Sequence, residues 1–324
     1  MQTALITGIT GQDGHHLTPF LVSKGYQVFG TVSDIDSSRA IEFRSLYPYV
    51  KLINGDLTDF ENLLRAIEDT KPDEIYNLGA ASLVSLSFSE PEVTANSTGL
   101  GALRLLQAIR ILGADKTRFY QASSSEMFGL AQETPQNELT LFHPRSPYAV
   151  SKIFAHYTTQ NYREAYGLFA CSGILFNHEG EFRRYEFVTR KITSNLVKIK
   201  LGKIDRFSLG VLSPKRDWGY AGDYVEAMWL MLQHSVPEDF VIATGVSRSV
   251  KDFLLQSMET LGLGQDIEKY VDFDKSFTRP SEVETLVGDA SKAREKLGWE
   301  PRTSFESIIE KMIEKDLKIE SANK

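Results

Sequence analysis

Residues 5–17 read LITGITGQDGHHL, with Gly8, Gly11 and Gly14 spaced three apart. An apolar strand, TALIT, runs into the first glycine, and a helical stretch follows the last. Glycines at such a junction permit a tight turn and a close backbone approach. The N–H groups that open the helix then face outward and can cradle a pyrophosphate. Thr10, Gln12 and Asp13 share the turn and join the glycines as the candidate dinucleotide-binding set.

Working outward, short apolar runs (YQVFGTV, VKLING, EIYNLG, TRFYQAS, FACSGILF) alternate with helical segments such as GALRLLQAIRIL. That alternation implies βαβ units with right-handed crossovers, hence an α/β fold with a doubly wound, Rossmann-type parallel sheet buried on both faces. After about residue 176 basic and aromatic loops alternate with helices, which implies a smaller C-terminal α/β substrate domain. The expected division is 1–176 for the dinucleotide-binding domain, with 212–235 returning to it, and 177–211 plus 236–324 for the second domain. At 324 residues the chain has room for both.

The net charge of −7 argues against nucleic acid as a partner. No apolar run approaches the roughly 18 residues of a membrane span, and no signal-like start precedes the first strand, so a cytoplasmic location is expected. Cys171 is the single cysteine and sits in an apolar run, which reads as core. The six histidines show no metal-ligand spacing, and no metal is expected.

The stretch YQASSSEMFG (120–129) ends one strand, and PRSPYAVSK (144–152) follows it. Tyr148 and Lys152 stand at i and i+4, on one helical face. An ammonium there stabilises a phenolate and makes Tyr148 a usable general base. Ends of parallel strands are where such sheets bind ligands, so Ser124 and Glu126 are placed to join the pair. In NGDLTD, Asp56 is placed to accept from an adenine amino group, or to cap a helix as Thr58 or Asp59 would.

These stretches, with YNLGA, NYREAYGLFAC, GILFNHE, FVTRKI, RDWGYAGDYVEAMW and RPSEVETLVGD, resemble the extended short-chain dehydrogenase/reductases. Within them they resemble the GDP-mannose 4,6-dehydratase family, over nearly the whole chain. The resemblance implies a nicotinamide cofactor, a GDP-sugar substrate and a homodimer or homotetramer. It places the catalytic set on Ser124 (a threonine in most members), Glu126, Tyr148 and Lys152. Tyr148 takes the sugar O4 proton as hydride leaves C4, Ser124 shares that network, and Glu126 removes the C5 proton. Leu57, Leu78, Gly79 and Ala80 join Asp56 in the implied cofactor set, and Ser87, Asn177, Lys191, Arg216, Arg279 and Glu284 form the implied substrate set. Arg216 and Arg279 are the phosphate candidates and Glu284 the guanine or ribose partner.

Three departures stand out. GEFRRYE replaces the usual SPRRGE after Asn-His-Glu, moving the arginine pair to Arg183 and Arg184. Ala81 and Leu83 replace a glutamine and a histidine. Both changes bear on the sugar accepted, a hexose or a heptose. TVSDIDSSR replaces a pair of arginines with Ser33 and Asp34. Asp34 lies about twenty residues past Gly14, where a carboxylate accepts the ribose hydroxyls and repels a 2′-phosphate, which favours NAD over NADP. The opposing possibility has Arg39 curling back to hold that phosphate. The changed segment also bears on tetramer formation, since members with the arginines use it to reach a neighbouring subunit. Rival readings are a 4-reductase or epimerase on an already dehydrated GDP-sugar, a GDP-manno-heptose 4,6-dehydratase, and a silent sugar-nucleotide-binding regulator.

Overall fold

A computed structural model describes residues 1–274, 277 and 280–322. Six strands of the first half are β1 (Thr3–Thr7), β2 (Gln27–Val32), β3 (Lys51–Asn54), β4 (Glu74–Asn77), β5 (Arg118–Ser124) and β6 (Ala170–Leu175). Short strands follow: β7 (Asn177–Glu179), β8 (Phe207–Leu209), β9 (Lys215–Tyr220), β10 (Phe240–Ile242), β11 (Ser247–Ser249) and β12 (Val271–Phe273). The first half carries helices α1 (Gln12–Ser23), α2 (Ser38–Leu46), α3 (Phe60–Thr70), α4 (Val84–Ser87), α5 (Pro91–Thr94), α6 (Leu100–Ile111) and α7 (Pro147–Tyr166). Then come α8 (Val188–Lys200), α9 (Ala221–Gln233), α10 (Val250–Thr260), α11 (Ser291–Leu297) and α12 (Phe305–Ala322).

The large sheet has seven parallel strands in the order β10-β6-β5-β4-β1-β2-β3. Side-chain alternation explains why both faces are covered. Leu5, Ile75, Phe119 and Ala170 point to one apolar cluster, shared with Leu63 of α3 and Leu105 of α6. Their neighbours Ile6, Tyr76, Tyr120 and Cys171 point to the other, shared with Leu17 of α1 and Met228 of α9. A strand buried on both sides is mostly apolar, and buried polar side chains on these strands find partners, as when the Asn77 amide donates to Gln121 Oε1 at 2.7 Å. Strand order reverses between β1 and β4, so a crevice opens at their C-terminal ends.

A further apolar cluster joins α8, α10 and α12 through Leu196, Phe253, Met258, Ile309 and Met312. It lies against a three-stranded sheet, β11-β9-β7, and the pair β12-β8. The expected boundaries need two corrections. Strand β10 pairs with β6 as the edge of the large sheet, and Ala293 and Trp299 lie in the large sheet's core, so parts of 236–324 pack with the first half. Within 212–235, α9 packs on the large sheet as expected, whereas β9 belongs to the three-stranded one. Apolar strands pair with whichever edge the loops bring near, and composition does not say which. No helix among the described residues is long and apolar enough to cross a membrane.

The glycine turn shows why its spacing matters. Gly8 has φ +65°, and a Cβ on it would lie 2.7 Å from the Gly79 Cα, so the ends of β1 and β4 touch backbone to backbone. A Cβ on Gly14 would lie 1.9 Å from the Ile9 carbonyl oxygen. Gly8→Ala is expected to cost about 1–3 kcal/mol of stability, visible as a lower Tm. An unchanged Tm would show that the two backbones separate freely.

Candidate active site

The crevice continues into a cleft of about 770 Å³ that runs from the glycine turn to the second cluster of helices. At one end lie Gly8, Thr10, Gly11, Gln12, Asp13 and Gly14, with Leu78, Gly79 and Ala80 from the end of β4. Gly11 is the N-cap of α1 and gives it no side-chain cap. The opening N–H groups and the positive end of the helix dipole are therefore directed into the cleft, as an anionic ligand requires. The buried Gln12 Oε1 has no hydrogen-bond partner among the described residues and offers an acceptor at the same place. These features fit a dinucleotide.

The catalytic candidates meet at the cleft's centre. Ser146 caps α7 by accepting from the Ala149 N–H at 3.1 Å, and Pro147 pre-sets its first turn. Tyr148 and Lys152 thereby face the end of β5, both buried. Ser124 caps a single 3₁₀ turn, Ser125–Met127, and its Oγ accepts from the Glu126 N–H at 3.2 Å. This turn folds Glu126 back over the strand end, where it lines the cleft with Ser124, Tyr148 and Lys152.

Burial holds the Tyr148 phenol well above its ordinary value, and a hydrogen bond with the Ser124 side chain works against that. Lys152 stands beside the phenol and is engaged with the backbone. Its Nζ donates to the Ala122 carbonyl at 2.6 Å and lies 5.7 Å from the Tyr148 ring centroid. Burial lowers the Lys152 ammonium to about 8, with Asp13 opposing.

On the substrate side Asn177, Lys191 and Arg216 line the cleft. Arg216, implied as a phosphate candidate, is engaged within the protein. Its Nη1 donates to the Lys215 and Val283 carbonyls at 2.9 and 2.8 Å, and its Nη2 lies 3.8 Å from Glu126 Oε1. Arg279 lies outside the described residues.

Five expected residues are not part of the cleft wall. Asp34 is exposed, and its Oδ1 accepts from the Asp36 N–H at 2.9 Å in a local turn. Asp56 accepts from the Thr58 N–H and hydroxyl, while Asp59 supplies the cap of α3. Leu57 packs its side chain beneath Gly79 and Gly101. The Ser87 hydroxyl donates to the Val84 carbonyl, and Glu284 is exposed with its carbonyl accepting from the Lys215 N–H.

Arg39, the alternative phosphate holder, lines the wall, as do residues not singled out beforehand: His178, Glu179, Phe187, Trp218 and Glu282. Arg183 and Arg184, noted as displaced, are also there. The signal for His178 was its place between Asn177 and Glu179 on one short strand, next to a candidate site residue.

Comparison with known proteins agrees with this architecture. The family model described as GDP-mannose 4,6 dehydratase matches residues 5–312. GDP-mannose 4,6 dehydratase 1 of Arabidopsis thaliana is 50% identical over 332 aligned residues, covering 99% of this chain and 91% of the relative. GDP-mannose 4,6-dehydratase of Vibrio cholerae is 48% identical, covering 98% and 94%. Among solved structures, the UDP-glucose 4-epimerase of Thermus thermophilus in complex with NAD superposes with a TM-score of 0.85 at 24% identity, covering 97% and 99%, which is a likeness of fold. On the extent of the family match and the identity to these relatives, the chain belongs to the GDP-mannose 4,6-dehydratase family.

Proposed function

We propose that this cleft converts GDP-mannose to the GDP-4-keto-6-deoxy sugar, with a nicotinamide dinucleotide held on the opening turn of α1. When bound, that cofactor would supply the acceptor for hydride from the sugar C4 and the donor for its return at C6. Tyr148 removes the O4 proton, and the Ser124 hydroxyl shares the hydrogen-bond network around that oxygen. A ketone at C4 acidifies the C5–H. Glu126 removes that proton and passes it to the departing C6 oxygen as water leaves, and C5 takes a proton of solvent origin when hydride arrives at C6. The observation that carries this reading is Glu126, folded by the Ser124 cap into the same cleft as Tyr148 and Lys152.

A 4-reductase has no step at C5 that needs such a base, an epimerase acting beside a C4 ketone uses one without loss of water, and a silent regulator needs none of the four groups. Incubation with GDP-mannose should give a product lighter by one water without added reductant, with GDP-manno-heptose run in parallel to define the sugar. Turnover only of an already dehydrated GDP-sugar would assign the chain to the reductases.

For the cofactor's adenosine end the residues point two ways. Asp34 by position favours NAD. The conformation of the 33–39 segment favours NADP, because Arg39 lines the cleft while Asp34 is engaged in its own turn. We take the NADP reading, since a guanidinium at that wall offers charge-assisted hydrogen bonds to a 2′-phosphate. On stripped protein Arg39→Ala should weaken NADP more than NAD. A preference for NAD that Asp34→Ala abolishes would restore the reading by position.

We also take the protein to be a homodimer. Val150, Phe154 and Tyr157 form an exposed stripe on α7, at i, i+4 and i+7, beside exposed Leu100 of α6. Phe154→Glu should produce monomers in light scattering. Monomeric wild type would remove this face from consideration.

A further inference from the structure

We infer that Asp13 and His178 form a latch that couples the dinucleotide turn to the sugar-nucleotide side, making cofactor and GDP bind cooperatively. The inference rests on the function proposed above and adds a role for two side chains far apart in sequence. His178 Nε2 lies 3.0 Å from both Asp13 carboxylate oxygens, and its Nδ1 lies 2.8 Å from the Phe176 carbonyl oxygen. Both ring nitrogens thus face acceptors only, so both carry hydrogen and the ring is an imidazolium. The Gln12 side-chain amide adds a bond to the His178 carbonyl at 2.9 Å. The ring stacks on buried Tyr224 of α9, with centroids 4.8 Å apart.

The position of the pair gives it consequences. Asp13 is the second residue of α1, within the turn that holds the dinucleotide. His178 is the middle residue of β7, whose neighbour Asn177 lines the substrate side. Strand β7 stands outside the large sheet and pairs with β9, which carries Arg216 beside Glu126. The next residue, Glu179, binds Arg183 at 2.8 Å and Thr189 at 2.6 Å. A dinucleotide that orders the turn therefore orders Asn177 and Arg183 through one buried ion pair. A second ligand then meets a wall already set, which is positive coupling.

Burial opposes the charge on both groups, and their attraction overcomes it. Burial raises the Asp13 carboxyl, but His178 and Arg183 bring it down to about 2. Burial lowers the His178 imidazole, but Asp13 and the Phe176 carbonyl leave it above its ordinary value, against Arg183. The other titratable groups around the pair include His16 of α1, Glu179 of β7, Arg183, Tyr224 of α9, Tyr120 of β5, and Tyr148 and Lys152 of α7. A raised imidazole keeps its contribution at low pH and loses it as pH rises through its folded value. A depressed carboxyl loses its contribution only as pH falls toward about 2. The latch opens on the alkaline side.

The test is calorimetric titration of the full-length, cofactor-stripped protein with NADP⁺, with and without saturating GDP, at neutral and alkaline pH. The variants are Asp13→Asn, His178→Gln and the double, and the glutamine keeps an amide donor toward Asp13 so that the fold is retained. At neutral pH GDP should tighten NADP⁺ binding by about tenfold in the wild type, within the usual range of coupling. Either variant should bring that factor near one, the double should lose no more, and alkaline pH should lower it in the wild type alone. Undiminished coupling in either variant, or losses that add in the double, would overturn the latch. Failure of the wild type to bind GDP at all would overturn the functional reading beneath it.

Discussion

Glu126→Gln should lower formation of the 4-keto-6-deoxy sugar by about 10²–10⁴-fold, the usual cost of removing a general base. The amide keeps the shape of the side chain and the backbone bond to Ser124 Oγ, so the turn Ser125–Met127 is preserved. It cannot take the C5 proton. Oxidation at C4 remains open to Tyr148, so reduced cofactor should accumulate spectroscopically while no water is lost. Near-normal product from this variant would remove Glu126 from the mechanism.

Tyr148→Phe should block the earlier step, again by about 10²–10⁴-fold. No reduced cofactor should then appear, which separates this variant from the Glu126 one. The neighbouring lysine gives the step its pH dependence. Burial lowers Lys152 from 10.5 to about 8, so its ammonium is present below that value and lost as pH rises through it. C4 oxidation should fall along an alkaline limb near 8, and Lys152→Met should show a lower rate without that limb. An unchanged alkaline limb in the Lys152 variant would place its origin elsewhere.

What was legible in the chain is what local geometry determines. Three glycines between a strand and a helix have one good use, and the turn is where their spacing puts it. Tyr148 and Lys152 share a helical face because i and i+4 always do. The parallel sheet followed from apolar runs with no polar alternation. The rest depended on loops and on contacts distant in sequence. Asp34 stands at the expected position along the chain, but its carboxylate closes a local turn and Arg39 lines the cleft wall. The resemblance implies Glu284, and it is Glu282 that lines the cleft, in a segment whose 284 carbonyl pairs with the Lys215 N–H. The resemblance implies Arg216 as a phosphate ligand, and no local pattern tells that its guanidinium lies 3.8 Å from Glu126. Asp13 and His178 are 165 residues apart, and no periodicity connects them.

The central claim is that hydrogen moves within one sugar from C4 to C6 while Glu126 exchanges the C5 proton. It is tested most directly with GDP-mannose carrying deuterium at C4, converted in ordinary water, and with unlabelled GDP-mannose converted in heavy water. The account predicts a product lighter by one water, with the C4 deuterium at C6 in the first experiment and solvent deuterium at C5 in the second. A C6 hydrogen drawn from solvent or from added reduced cofactor, or a product that keeps its water, would contradict it.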